Sequence, residues 1–66
     1  MHIQAKDLLF GDTVLYRDEF WHIVEAVPND MGGINVWLSP TDGIGLDSKI
    51  GVPKQFCFFV TNRLQS

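Results

Sequence analysis

The chain has 66 residues, a formal net charge of −3 and 45% hydrophobic residues, with five Phe, two Trp and one Tyr. That length allows one domain near the lower limit of independent folding, whose core supplies only about 3–5 kcal/mol without a staple. Cys57 is the single cysteine, which excludes an internal disulfide. With His2 and His22 far apart in sequence, no metal site or other cofactor is expected.

Met1 to Gln4 reads as a short first strand, followed by a turn through Lys6 and Asp7, with one helical turn at Lys6 to Leu9 as the alternative. Phe10-Gly11-Asp12 is a turn in which Gly11 is free to take a positive φ. Val14 and Tyr16 alternate with Thr13, Leu15 and Arg17, the period-two pattern of a strand over Thr13 to Arg17. Asp18-Glu19 is the polar pair between two strand-like runs and is expected at the tip of a hairpin. The next strand, Phe20 to Val27, breaks alternation: strict period two from Trp21 would bury Glu25. A one-residue β-bulge near Val24-Glu25 removes that conflict, with Trp21, Val24 and Val27 inward. Pro28 to Gly33 is a loop. Ile34 to Ser39 alternates, with Ile34, Val36 and Leu38 on one face and Asn35, Trp37 and Ser39 on the other. Pro40 to Ser48 is glycine-rich turn, and Lys49 to Val52 is a short apolar segment stopped by Pro53. The last strand, Phe56 to Thr61, is almost wholly apolar. If Phe56, Phe58 and Val60 face in, Cys57 and Phe59 face out.

Five short strands joined by glycine turns, with a bulged second hairpin arm, predict an all-β fold: a small antiparallel barrel as a single domain over residues 1–66. The stretch A-x-D-L-x-x-G-D-x-V-L-Y, followed by W-x-x-V-x-x-V, resembles the opening hairpin of SH3-like barrels. KOW-type modules of translation and transcription proteins, including the first domain of elongation factor P, open similarly. The resemblance covers Ala5 to Val27, is a pattern of fold, and transfers no catalytic or binding residue. KOW-type modules are typically basic, whereas this chain is acidic, and its basic residues Lys6, Arg17, Lys49, Lys54 and Arg63 are dispersed. Nucleic acid is therefore disfavoured as a partner. The longest apolar run is far shorter than the roughly 20 residues of a membrane span. The N-terminal residues lack the order of a signal peptide, and a free cysteine suits a reducing compartment. A cytoplasmic protein without membrane contact is expected.

Gly43-x-Gly45-x-Asp47 matches the core of calcium-binding β-roll repeats, but a single copy cannot build such a site, so a glycine loop is expected. Cys57 could act as a nucleophile beside His22. Its apolar neighbours favour an inert, packed thiol instead. The carboxylates fall mostly in turns, and Asp7 and Asp12 are expected to stabilise the turn they flank. No P-loop, nucleophile elbow or metal-ligand spacing is present, so no enzyme is expected. The surplus of aromatic residues points to an interaction surface made by Trp37, Cys57, Phe59 and Phe20. The reading that follows is a non-enzymatic interaction module, binding a protein partner or itself as a homodimer or small oligomer. It would serve as an accessory or regulatory protein of a bacterium or phage. The alternatives are a KOW-type nucleic-acid-associated module using Lys49, Lys54, Arg17 and Arg63, or a small-molecule binder with a pocket between the Asp42–Asp47 loop and Trp21 or Trp37.

Overall fold

The computed structural model describes residues 1–63. Among these residues six strands follow one another: β1 (His2–Gln4), β2 (Thr13–Tyr16), β3 (Glu19–Pro28), β4 (Gly33–Pro40), β5 (Ser48–Pro53) and β6 (Cys57–Asn62). A 3-10 turn, Ala5–Asp7, separates β1 from β2. All pairings are antiparallel, in the order β1-β6-β2-β3-β4-β5, so β1 and β5 are the edges and the sheet is not closed. The expected count of five strands is corrected to six. Gly51 and Pro53 read as strand breakers, yet Ser48–Pro53 pairs with β4 along its length. It does so as an edge strand, the one place in a sheet where proline is tolerated.

A single sheet can bury its inner face only by curling over it. The molecule accordingly measures 31 × 25 × 23 Å, far thicker than one flat layer. Val14 from β2, Ile23 from β3, Ile34, Val36 and Leu38 from β4, and Phe58 and Val60 from β6 all converge inside. Ala5 and Leu8, from the 3-10 turn and the residue after it, complete this core. The Ala5 N–H donates to Phe56 O at 2.8 Å and the Lys6 N–H to Lys54 O at 3.4 Å, joining the 3-10 turn to the β5–β6 connection.

The β3 bulge lies where the alternation fails. Ile23 faces Leu38 and Glu25 faces Trp37, leaving Val24 as the extra residue. The sense of the bulge differs from the expectation, however. Ile23 and Ala26 take the inner positions, while Val24 and Val27 are exposed. Either sense leaves Glu25 in solvent; the one found places Ile23 inside, opposite the buried Leu38 of β4, and turns Val24 out. The hairpin tip also moves by one residue. Tyr16 pairs with Glu19, and Arg17 and Asp18 form the turn with φ of 52° and 63°. Two consecutive positive φ values match the two-residue turns whose twist suits antiparallel strands.

Candidate interaction surface

Each strand turns alternate residues outward, so residues in register build rungs across the outer face. One rung runs through four neighbouring strands. His2 pairs with Phe59, Phe59 with Leu15, and Leu15 with Phe20. Phe20 is 52% exposed, Phe59 42% and Leu15 37%. The His2 and Phe59 rings lie 5.3 Å apart at a tilt of 56°. Two of the residues singled out in the sequence, Phe20 and Phe59, therefore belong to one apolar rung. Leu15, which joins them, and His2 were missed. Their signal was the outward phase of the β2 alternation and the pairing of β1 with β6, and the second is invisible before the chain ends are brought together.

Cys57 lies on the same strand face as Phe59 and is exposed, not packed as its apolar neighbours suggest. Its Sγ contacts the Gln55 carbonyl at 3.6 Å. His22 stands two strands away and bonds elsewhere, so the structure does not bring the two together as nucleophile and base. Trp37 is separated from the rung as well. It faces outward on β4 between Glu25 and Lys49, and Glu25 is five positions along β3 from Phe20. Trp37 is half-buried, with the Lys49 ammonium 5.5 Å from its ring centroid. The four predicted residues thus fall into two places: Phe20, Phe59 and Cys57 on the β6–β2–β3 side, and Trp37 on the β4–β5 side.

The next rung on the β6–β2–β3 side is polar. Asn62 pairs with Thr13, Thr13 with His22, and His22 with Ser39. Thr13 Oγ1 and His22 Nδ1 are 3.1 Å apart. Beyond this rung, Phe10 and the bulged Val24 bound a cavity of about 390 Å³. A second cavity, of about 510 Å³, lies between the β3–β4 hairpin tip and the β5–β6 connection, against Met31, Gly33, Pro53 and Lys54. Neither of these two is lined by residues 42–47. Residues 41–47 are exposed, and Asp42 accepts a hydrogen bond from the Ile44 N–H, a local turn-stabilising contact.

The turn carrying Phe10 is held by a buried carboxylate. Asp12 is 1% exposed. It accepts from the Leu9 N–H at 2.9 Å and from Arg63 Nε and Nη2 at 2.9 and 2.8 Å. Arg63 Nη2 also donates to the Asp7 carbonyl at 3.3 Å. Burial pushes the Asp12 carboxyl up, but the bonds from Arg63 and Leu9 and the guanidinium charge outweigh it. The group therefore titrates below its ordinary 3.8. Asp12 stabilises its turn as expected. Arg63, expected as a possible phosphate contact, is instead engaged with Asp12. Among the described residues every buried side-chain nitrogen and oxygen has a partner, no group of three or more His, Cys, Asp or Glu could hold a metal, and no helix is long and apolar enough to cross a membrane.

No family model and no curated protein matches the chain. Among solved structures, a translation initiation factor eIF-5A family protein from Naegleria fowleri ATCC 30863 superposes with a TM-score of 0.76 at 21% identity. The match covers 94% of this chain and 46% of that protein, so this chain spans about half its length. The likeness is one of fold, and it agrees with a small all-β barrel-like domain. It also corrects one expectation. A protein named for translation initiation carries this fold, so the argument that disfavoured nucleic acid as a partner does not stand. A net charge of −3 is a sum over the chain and does not describe any one face of it.

Proposed function

We propose that the chain is a non-enzymatic, SH3-like interaction module whose outer face docks an apolar protein surface, a second copy of itself first of all. The observation that carries this reading is the rung His2–Phe59–Leu15–Phe20, in which Phe59, Leu15 and Phe20 make an apolar strip across three adjacent strands with His2 at its end. Scattered exposed apolar residues are ordinary, but contiguous ones mark interaction sites. Phe20 and Phe59 are about half-exposed, so covering each contributes half of the ~1.5–3 kcal/mol of full burial, and two copies together still add a sizeable share of what so small a core supplies. Two copies stacked rung to rung would form an isologous, closed pair. A cytoplasmic placement belongs to the same proposal, because the exposed Cys57 thiol persists where the compartment is reducing.

Sedimentation equilibrium from micromolar concentration upward tests the reading. Concentration-dependent assembly that Phe59→Ala and Leu15→Ser weaken, with Trp37→Ala neutral, supports it. A monomer at every concentration refutes self-docking. A second reading, contact with nucleic acid, is favoured by the fold shared with a translation initiation factor and by the Lys49–Trp37 pair. Titration of mixed-sequence single-stranded RNA across a salt series decides it. Phosphate contacts require affinity to fall steeply with salt.

A further inference from the structure

The cavity beside the polar rung takes no part in the docking just described. Its volume of about 390 Å³ lies at the small end of small-molecule sites, which span roughly 300–1,000 Å³. Phe10 and Val24 form apolar walls, and Thr13, His22, Ser39 and Asn62 supply the polar edge. Among the described residues no carboxylate, ammonium or guanidinium lines it. A charged ligand would find no counter-charge among these lining residues. A purely apolar one would displace water from two hydroxyls, an amide and an imidazole without replacing their bonds. A flat ring with donors and acceptors on its edge satisfies both parts of the lining. Hydroxyl and amide groups each offer donors and acceptors. Thr13 holds His22 through Nδ1, which leaves Nε2 as the nitrogen to meet a ligand.

The turn that carries this wall is tied down. The Gly11 N–H donates to Ile23 O at 2.9 Å and the Ile23 N–H to Asp12 O at 2.8 Å, stitching the Phe10 turn to β3. Asp12 and Arg63 clamp the same turn to the end of β6. The backbone of the turn is thus fixed, while the Phe10 side chain is 78% exposed and presents its ring to solvent. We infer that this cavity is a nucleobase site, in which Phe10 stacks on the base while His22, Ser39 and Asn62 bond its edge. A free nucleoside and an unpaired base of single-stranded RNA present the same ring and are its two sources.

Amide NMR titrations of the full chain with adenosine, guanosine, cytidine and uridine, and with the four homopolymeric single-stranded RNA oligomers, test this. N-acetyltyrosinamide serves as the control ring. Saturable shifts confined to residues 10–13, 22–24, 39 and 62 are expected with at least one base. Phe10→Ala, at an exposed position that tolerates truncation, should weaken that binding about fivefold or more, the lower end for base–aromatic stacking. Ser39→Ala should change the order of preference among the bases. Binding of a nucleoside as tight as its oligomer identifies a free metabolite as the source; tighter oligomer binding identifies RNA. The inference fails if no base gives saturable shifts, or if the shifts lie elsewhere, such as around Trp37. Equal binding of the tyrosine amide, or Phe10→Ala binding as tightly as the parent, also overturns it. None of these results bears on self-docking through the apolar rung, which sedimentation reads separately.

Discussion

Removing Arg63 should destabilise the domain more than removing its partner Asp12, and the difference should depend on pH in a definite direction. Arg63→Ala strands a carboxylate that is 1% exposed, with only the Leu9 N–H still bonded to it. Stranding a buried charge costs about 3–5 kcal/mol, as much as the roughly 3–5 kcal/mol a core of this size supplies. Asp12→Ala should cost less, about 1–3 kcal/mol, because the Arg63 side chain is 20% exposed and its guanidinium can turn to water. In the parent protein the Asp12 pKa is lowered on folding. Its contribution is therefore present above the unfolded value of about 3.9 and is lost as pH falls through the folded one. In Arg63→Ala desolvation dominates and the folded pKa rises above the unfolded one. The penalty is then complete at neutral pH and fades as pH falls through the raised pKa. Urea unfolding followed by Trp21 and Trp37 fluorescence measures this. With a slope of about 1 kcal/mol/M, the low end for small domains, the Arg63→Ala midpoint should fall by about 3 M or the chain should be unfolded outright at neutral pH. The gap to the parent should narrow as pH is lowered from about 7 to about 4. Equal losses for the two variants at every pH would refute the reasoning, since the ranking rests on the unequal burial of the two charges.

Phe58→Ala, at a side chain 1% exposed, should cost about 3–5 kcal/mol and abolish cooperative thermal unfolding in circular dichroism. Gly33→Ala would place a Cβ 2.6 Å from the Val52 carbonyl oxygen. It should lower Tm by clearly more than Gly43→Ala, which meets nothing within 4 Å and carries only the strain of φ +73°, about 1–2 kcal/mol. Replacing the turn pair by Arg17→Asn with Asp18→Gly, the residues best suited to two positive φ values, should stabilise the hairpin by about 1 kcal/mol, the low end of what a left-handed conformation costs other residues. A rise in the urea midpoint checks it.

Much of the strand content was legible because a half-buried strand has a two-residue period. Ile34, Val36 and Leu38 are buried and Asn35, Trp37 and Ser39 are not, and Phe58 and Val60 are buried while Cys57 and Phe59 are exposed. The position of the β3 bulge could be read for the same reason: burying Glu25 is expensive enough to mark the place where alternation has to fail. Its sense could not, because letting Ile23 in and Val24 out depends on Leu38 and Trp37 across β4. The strand Ser48–Pro53 was hidden by Gly51 and Pro53, which break a central strand but not an edge, and edge status is a property of the whole sheet.

The candidate surface divides along the same line. Local pattern alone turned Phe20, Phe59, Cys57 and Trp37 outward, since each phase is set by its own strand. Which of them meet was decided by register between segments distant in the chain. β6 lies between β1 and β2, so His2, Phe59, Leu15 and Phe20 form one rung, and Trp37 is left on another part of the face. The Asp12–Arg63 pair joins residues 51 positions apart, and the Asn62–Thr13–His22–Ser39 rung draws on four strands. Composition and periodicity describe a chain one segment at a time, whereas a rung or a buried ion pair exists only once the sheet has curled and its ladder has chosen one register.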